Sequence, residues 1–353
     1  MFKVKNASLC VAAGLFLLGA LNCVVSGEPN EAVAKRTSPD PFEQNKHLGR
    51  GINLGNALEA PNEGEWGVTL KEEYFKIIKD AGFDSVRIPC RWSAHALNEK
   101  PYTIDPNFFN RVDWAIKNAL KNNLYVILNV HHYLEITSDP NGHSERFLGL
   151  WEQIAEHYKD YPDSILFEPL NEPAKALSAD LWNGLLKKAL PIVRKSNPHR
   201  TIVIDPAEFA AIHLLKKLDV PKEDRNIIVS IHYYMPMEFT HQGAEWMGEM
   251  SKSWIGRTWT GTEQQKQALI SAFDNAAAWG REHNRPINLG EFGAYEKADM
   301  ESRARWTKFV ADTAIERGFS LCYWEFCSGF GAYDQQTNQW REPLLKALIP
   351  PAK

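Results

Sequence analysis

Two glutamates stand apart from the other acidic residues by their settings. Phe167-Glu168-Pro169-Leu170-Asn171-Glu172-Pro173 places Glu172 between an amide and a proline at the end of a β-rich run, and Ile287-Asn288-Leu289-Gly290-Glu291-Phe292-Gly293 places Glu291 at the end of another. Two inward carboxylates about 5–5.5 Å apart equip a site for double displacement at an acetal carbon. One attacks the anomeric centre; the other protonates the leaving oxygen and later activates water. An isolated glutamate usually serves as a solvated helix cap, a role that Asn and Pro neighbours make a poor fit for Glu172.

The two carboxylates need different proton affinities, which neighbours can supply. Arg87, in Val86-Arg87-Ile88-Pro89, offers a permanent charge to keep a nucleophile ionised, and it could equally hold a structural ion pair at a barrel rim. Tyr234 can donate to the same carboxylate, and Asn171 can bond a sugar 2-hydroxyl. His131, His132 and His232 raise the question of a metal. Adjacent strand residues point to opposite faces, so His131 and His132 are not expected to share an ion, and no HExxH spacing occurs. Hydrogen bonding to substrate or to a catalytic glutamate suits the histidines better, with packing an equal role for His132. No metal is expected.

Trp324, in Tyr323-Trp324-Glu325-Phe326, would give a flat floor for a pyranose ring if it is not a core residue. The stretch from Met235 to about Thr262 reads as the longest loop and carries Trp246, Trp254 and Trp259 with His241 and Glu245. Three exposed tryptophans there would be an aggregation liability unless they line a cleft, and each could instead pack.

The elements that must position these residues recur in a regular beat. Short β-rich runs fall at Gly51–Asn56, Ser85–Cys90, Tyr125–His131, Ile165–Asn171, Thr201–Asp205, Ile227–Tyr233, Ile287–Glu291 and Ser320–Glu325. Between them lie stretches such as LKEEYFKIIKDAG and LWNGLLKKALPIVRK, with apolar residues every three or four positions. Eight strand–helix units without a second beat predict an α/β fold, a single-domain (β/α)8 TIM barrel over residues 41–349. Polar residues gather at the C-terminal ends of the runs: Asn56, Arg87, His131, Asn171, Glu172, Asp205, His232, Glu291, Trp324 and Glu325. Stability alone gives no reason to place charge repeatedly at one end of buried parallel strands.

The 353 residues carry 40 basic and 44 acidic side chains, and 44% are hydrophobic, which is ordinary globular composition. A net charge of −4 gives no electrostatic reason to expect nucleic acid or a polybasic membrane contact. Lys3 and Lys5 precede an apolar run from Leu9 to Leu21, followed by small residues at Val25-Ser26-Gly27. This reads as a signal peptide over residues 1–27, too short for a membrane anchor, with a flexible leader over 28–40. The protein is thus expected to be secreted, extracellular or periplasmic, with no membrane contact after cleavage. Cys90, Cys322 and Cys327 remain; the last two, read on one strand, would sit roughly 16 Å apart, so three buried free thiols are expected.

Arg87, His131, Asn171-Glu172, His232-x-Tyr234, Glu291 and Trp324, one group per strand end in this order, resemble the signature of glycoside hydrolase family 5. The resemblance covers about Pro41 to Ile349. The stretches GRGINLGNALEAPNEGEWGV, HYYMPMEFTHQGAEW and YWEFCSGFGAYD resemble family members that act on both β-glucan and β-mannan; Cys90 departs from them, standing where an aliphatic residue is usual. The resemblance implies Glu172 as acid/base and Glu291 as nucleophile. It also implies sugar contacts from Asn56, Glu59, His131, His132, Asn171, Tyr234, His241, Trp246, Trp324 and Glu325. No cofactor is implied. The partner expected is a β-1,4-linked polysaccharide or oligosaccharide, with a mainly β-mannan or xyloglucan substrate as the alternative; nothing sets an oligomeric state. A non-catalytic carbohydrate-binding barrel would be expected to lack one carboxylate, and both are present.

Overall fold

The computed structural model describes residues 39–351, so the expected signal segment and nearly all of the expected leader lie outside the described residues. Eight strands, β1 (Arg50–Asn53), β2 (Ser85–Ile88), β3 (Tyr125–Asn129), β4 (Ile165–Glu168), β5 (Ile202–Ile204), β6 (Ile227–His232), β7 (Ile287–Glu291) and β8 (Ser320–Tyr323), pair in that order and close into a barrel. Each neighbouring pair is parallel, including β8 with β1. The fold is the (β/α)8 barrel that the alternation predicts.

Helices between the strands start where the sequence supplies caps. Asp105 accepts from the Asn107 N–H ahead of Pro106–Lys121, Ser178 from Leu181 ahead of Ala179–Ser196, and Thr262 with Gln265 forms a capping box ahead of Glu263–His283. The longer helices turn an apolar stripe inward; in Glu72–Asp80 the buried residues are Tyr74, Phe75 and Ile78. A short helix, Pro41–Leu48, delivers Leu48 into an inner cluster with Ile127, Leu166, Val203, Ile228 and Cys322. That cluster fills the barrel away from the C-terminal ends of its strands.

The tryptophans do more than fill space. Trp92, Trp151, Trp182 and Trp306 are fully buried, and each indole N–H donates to a carbonyl at or just past the end of a strand. The acceptors are Asn129, Pro169, Asp205 and Met235, at 2.9, 2.9, 2.8 and 3.1 Å. The loops after β3, β4, β5 and β6 are thereby tied to the hydrophobic layer.

Several expected boundaries are corrected. Seven of the eight strands end one to three residues sooner than their sequence runs, β7 alone ending as expected at Glu291. Pro89 and Pro169 have no N–H to give a ladder, so β2 stops at Ile88 and β4 at Glu168. Asn56, His131, Asn171, Glu172, Trp324 and Glu325 therefore lie in the loops that follow the strands. The long stretch after β6 is not patternless: it holds the helical turns Met237–Thr240, Glu245–Met247 and Glu249–Lys252. Its tryptophans divide, with Trp246 60% exposed, Trp254 half-buried and Trp259 buried in the core. Cys90, Cys322 and Cys327 are free and buried, but Cys327 stands beyond β8 rather than in it.

Among the described residues, no helix is long and apolar enough to cross a membrane.

Candidate active site

The floor of the catalytic end is built by strand register. Pairing of β1 with β2 sets Asn53 beside Arg87, and pairing of β3 with β4 sets Asn129 beside Glu168. All four side chains are wholly buried. Arg87 uses each of its five N–H donors. Nε and Nη2 hold Glu168 at 2.7 and 2.6 Å; Nη2 also reaches Asn171 Oδ1 at 2.6 Å; Nη1 reaches Asn53 Oδ1 at 2.7 Å and Glu291 Oε1 at 2.8 Å. The two roles weighed for Arg87, structural pairing and contact with the Glu291 carboxylate, coexist in one guanidinium.

Glu291 also accepts from the Tyr234 hydroxyl at 2.9 Å. A register shift between Ile231 and His232 brings His232 opposite Glu291 on β7. His232 Nδ1 then lies 2.8 Å from Glu172 Oε1 and 3.7 Å from Glu291 Oε2. One His232 nitrogen and one oxygen from each glutamate all lie within 4.8 Å of one another, so the two carboxylates share one side of the site. Such a trio could in principle ligate a cation. Here, however, both Glu291 oxygens already serve Arg87 and Tyr234, and the guanidinium charge sits 2.8 Å away.

Charge is shared across this trio rather than owned by one residue. Burial works against a charged His232, but Glu291, Asp205 and Glu172 outweigh it, and the ring is raised to about 9. Burial pushes up both glutamates as well. For Glu172, the His232 hydrogen bond and charge reverse this and leave it below its ordinary value. For Glu291 burial prevails, with His232, Arg87 and the Tyr234 hydrogen bond drawing it back down. Both shifts favour a charged His232 against an ionised Glu172, 2.8 Å apart between Nδ1 and Oε1.

Glu172 itself has a left-handed backbone, φ 49°, in the loop after β4. Its N–H donates to Asp205 Oδ2 at 3.0 Å, while the Asn171 N–H donates to the Val130 carbonyl at 2.9 Å.

The remaining expected residues separate into two groups. His131 packs parallel to Trp324, centroids 5.6 Å apart, and takes a hydrogen bond from Asn129 at 3.0 Å. The strand-alternation argument that set His132 away from it does not apply, because β3 ends at Asn129 and His132 is left-handed at φ 50°. The two rings meet edge-on at 4.5 Å. Burial keeps both neutral at ordinary pH: it holds His131 well below its usual value and lowers His132 to about 4. His241 lies edge-on to Tyr234 at 5.0 Å, and Trp246 packs on Tyr295 at the same distance with most of its surface open. Asn56, left-handed at φ 64°, donates to Ser328 at 3.0 Å and joins the loops after β1 and β8.

Glu325 and Glu59 are placed differently from the sugar contacts expected of them. Both are wholly buried. Glu325 accepts from the backbone N–H groups of Cys327, Ser328 and Phe330 at 2.7 to 3.2 Å, so its carboxylate organises the loop after β8 instead of pointing at a ligand. Glu59 accepts from the N–H groups of Asn56 and Ala57 and does the same for the loop after β1; burial raises it to about 8. Glu168, Asn53, Asn129 and Asp205 were given no role from sequence. The available signal was Glu168 inside an apolar run, a charge that burial obliges to find a cation such as Arg87.

A parallel barrel with this pair of carboxylates at its C-terminal mouth has the build of a retaining glycoside hydrolase. Comparison with known proteins agrees. Residues 49–329 match the family model for cellulase (glycosyl hydrolase family 5). Endoglucanase H of Acetivibrio thermocellus is 36% identical over 318 residues, covering 88% of this chain but 34% of that protein, so the chain spans about a third of that relative's length. Endoglucanase A of Ruminococcus albus is 30% identical over 338 residues, 86% of this chain and 90% of the relative. Among solved structures, Thermotoga maritima Cel5A in complex with mannotriose is 55% identical with a TM-score of 0.86, over 88% of this chain and 100% of that one. Thermotoga maritima Cel5A with cellobiose gives the same figures. The chain belongs to glycoside hydrolase family 5.

Proposed function

We propose that this family 5 glycoside hydrolase is an exported endo-β-1,4-glycanase that cleaves β-1,4-glucan and β-mannan by double displacement. The observation that carries the reading is the facing pair, Glu172 with His232 at 2.8 Å and Glu291 with Arg87 at 2.8 Å and Tyr234 at 2.9 Å. Glu291 attacks the anomeric carbon. Arg87 and Tyr234 stabilise its charge and aim its oxygens. Proton transfer from His232 Nδ1 to Glu172 Oε1 converts the resting ion pair into a neutral imidazole and a neutral carboxylic acid, and that acid protonates the departing glycosidic oxygen. In the second half Glu172 takes a proton from water, which releases the sugar from Glu291 with retained configuration. Asn171, fixed through Oδ1 by Arg87, presents its amide to the 2-hydroxyl, and Trp324 with Trp246 offers flat surfaces to the rings.

Relatives named endoglucanases support the glucan half of the reading, and a close structural neighbour holding mannotriose supports the mannan half. Export rests on the charged and apolar N-terminal segment. The test is reducing-sugar release on carboxymethyl-cellulose, barley β-glucan, glucomannan and pure β-mannan, with Glu291→Ala as the blank. Comparable rates on glucan and mannan are expected. Activity on mannan alone would replace the reading with a mannanase, and silence on all four by a folded protein would overturn it.

A further inference from the structure

The loop after β5 carries a carboxylate that the reaction above does not use. Asp205 is wholly buried, and its own carbonyl is pinned by the Trp182 indole at 2.8 Å, so its position is set by the core. Its Oδ2 accepts the Glu172 backbone N–H at 3.0 Å, and the same oxygen lies 3.7 Å from His232 Nε2. The other ring nitrogen of His232 is the one bonded to Glu172 Oε1 at 2.8 Å. Asp205 Oδ1 and His232 Nε2 are both buried, and neither has a hydrogen-bond partner among the described residues. One carboxylate thus touches Glu172 from behind at its main chain and backs the ring that touches its side chain.

We infer that Asp205 is a positioning residue for the acid/base Glu172, holding its backbone and, through His232, its carboxyl in line with the glycosidic oxygen. The inference rests on the reading of Glu172 as acid and Glu291 as nucleophile. Two physical considerations make the hold necessary. A non-glycine residue at positive φ is disfavoured by about 1–2 kcal/mol, so the conformation of Glu172 at φ 49° persists only where its surroundings impose it. The acid also stands on a loop rather than on β4, so the barrel ladder does not fix it. A donor bond to a carboxylate anchored in the core supplies what the ladder does not. On this account Asp205 touches no substrate. It matters only for the proton transfers of Glu172, to the leaving oxygen in the first half and from water in the second, and kcat/KM reads the first alone.

That limitation gives the test a readout that a general packing role would not move. For a retaining enzyme kcat/KM covers events up to departure of the leaving group. A sugar leaving group requires protonation, whereas 2,4-dinitrophenolate departs without it. Asp205→Asn and Asp205→Ala would each be assayed on cellotetraose and on 2,4-dinitrophenyl β-cellobioside, with circular dichroism and thermal melts to confirm folding. The amide of Asp205→Asn can still accept the Glu172 N–H; Asp205→Ala loses both contacts. The expected result is a fall in kcat/KM on cellotetraose of roughly tenfold for Asn and roughly a hundredfold for Ala, with less than about a threefold change on the dinitrophenyl substrate. Equal losses on both substrates, or no loss on either, would overturn the inference. If Asp205→Ala does not fold, Asp205→Asn decides alone by the same split. Glu172→Gln is run alongside: if that variant shows no dependence on leaving group, the assignment of Glu172 as acid falls first and takes this inference with it.

Discussion

Arg87 and Glu168 meet as a two-point pair sealed from solvent, Nε to Oε2 at 2.7 Å and Nη2 to Oε1 at 2.6 Å, with neither side chain exposed. The remaining guanidinium donors face Glu291, Asn53 and Asn171, so the pair that holds the floor together also aims the Glu291 carboxylate. Removing one member of a buried pair leaves the other charge without compensation.

Glu168→Ala is therefore expected to destabilise the fold by about 3–5 kcal/mol. It should also lower activity, because Arg87 is released to turn toward Glu291. Denaturant unfolding beside steady-state rates checks this; a variant as stable as the parent would show that Glu168 is dispensable.

Loss of either catalytic carboxylate should cut turnover on natural polymer by at least about a thousandfold, and azide should then distinguish their roles. Azide added to Glu172→Ala enters the space of the missing base and gives a β-glycosyl azide, with two inversions. Added to Glu291→Ala, it takes the place of the nucleophile and gives the α-azide from a single inversion. NMR of the products reads the anomeric configuration, and exchanged outcomes would exchange the two assignments.

His232, raised from its ordinary 6.5 to about 9, binds its proton more tightly in the folded protein than in the unfolded chain. The stability this contributes is complete below about pH 6.5 and is lost as pH climbs through about 9. The thermal midpoint should thus decline across that interval, and His232→Gln should flatten the decline. A parallel decline in both proteins would assign it to other groups.

Trp324 stacks parallel to His131, while Trp246 stands 60% exposed on Tyr295. Trp246→Ala is expected to raise KM by roughly tenfold, or about 1.4 kcal/mol, with kcat little changed, because an open platform binds ground and transition states alike. Trp324→Ala, which removes the ring stacked on His131 within the site, should lower kcat as well. Identical kinetic effects from the two would contradict this division.

Glu325→Ala should destabilise by about 3 kcal/mol or more, since it leaves the N–H groups of Cys327, Ser328 and Phe330 without their acceptor. Glu325→Gln, which keeps a carbonyl oxygen, should lose less. Chemical unfolding of the two variants orders them.

The barrel was legible because its strands are short apolar runs and its helices keep their stripes. The positions of Glu172 and Glu291 were legible because charge recurs at one end of those runs. The ends themselves were not. A run such as Ile165–Asn171 keeps an extended look through Pro169, yet a ladder needs an N–H that proline lacks, and Glu172 therefore stands on a loop with a left-handed turn. Glu325 was misplaced for a related reason. Residue type announces a carboxylate but not its partners, and the turn through Ser328, Gly329 and Gly331 brings the N–H groups of Cys327, Ser328 and Phe330 onto it. Glu168 was not singled out, and Asp205 was seen only as one more polar strand end, because their work is done on other residues, through the register of β3 with β4 and a bond from the Glu172 N–H to Asp205.

Trp92, Trp151, Trp182 and Trp306 carry a consequence for how this protein can change over time. Each fills the hydrophobic layer with its ring and anchors the mouth with its N–H. Phenylalanine could replace the ring but not the anchor, and tyrosine, which also has one donor, carries it at the far end of a smaller ring. A change at any of the four therefore acts on the packing of the core and on the loops of the mouth together, while the exposed Trp246 can change without disturbing either.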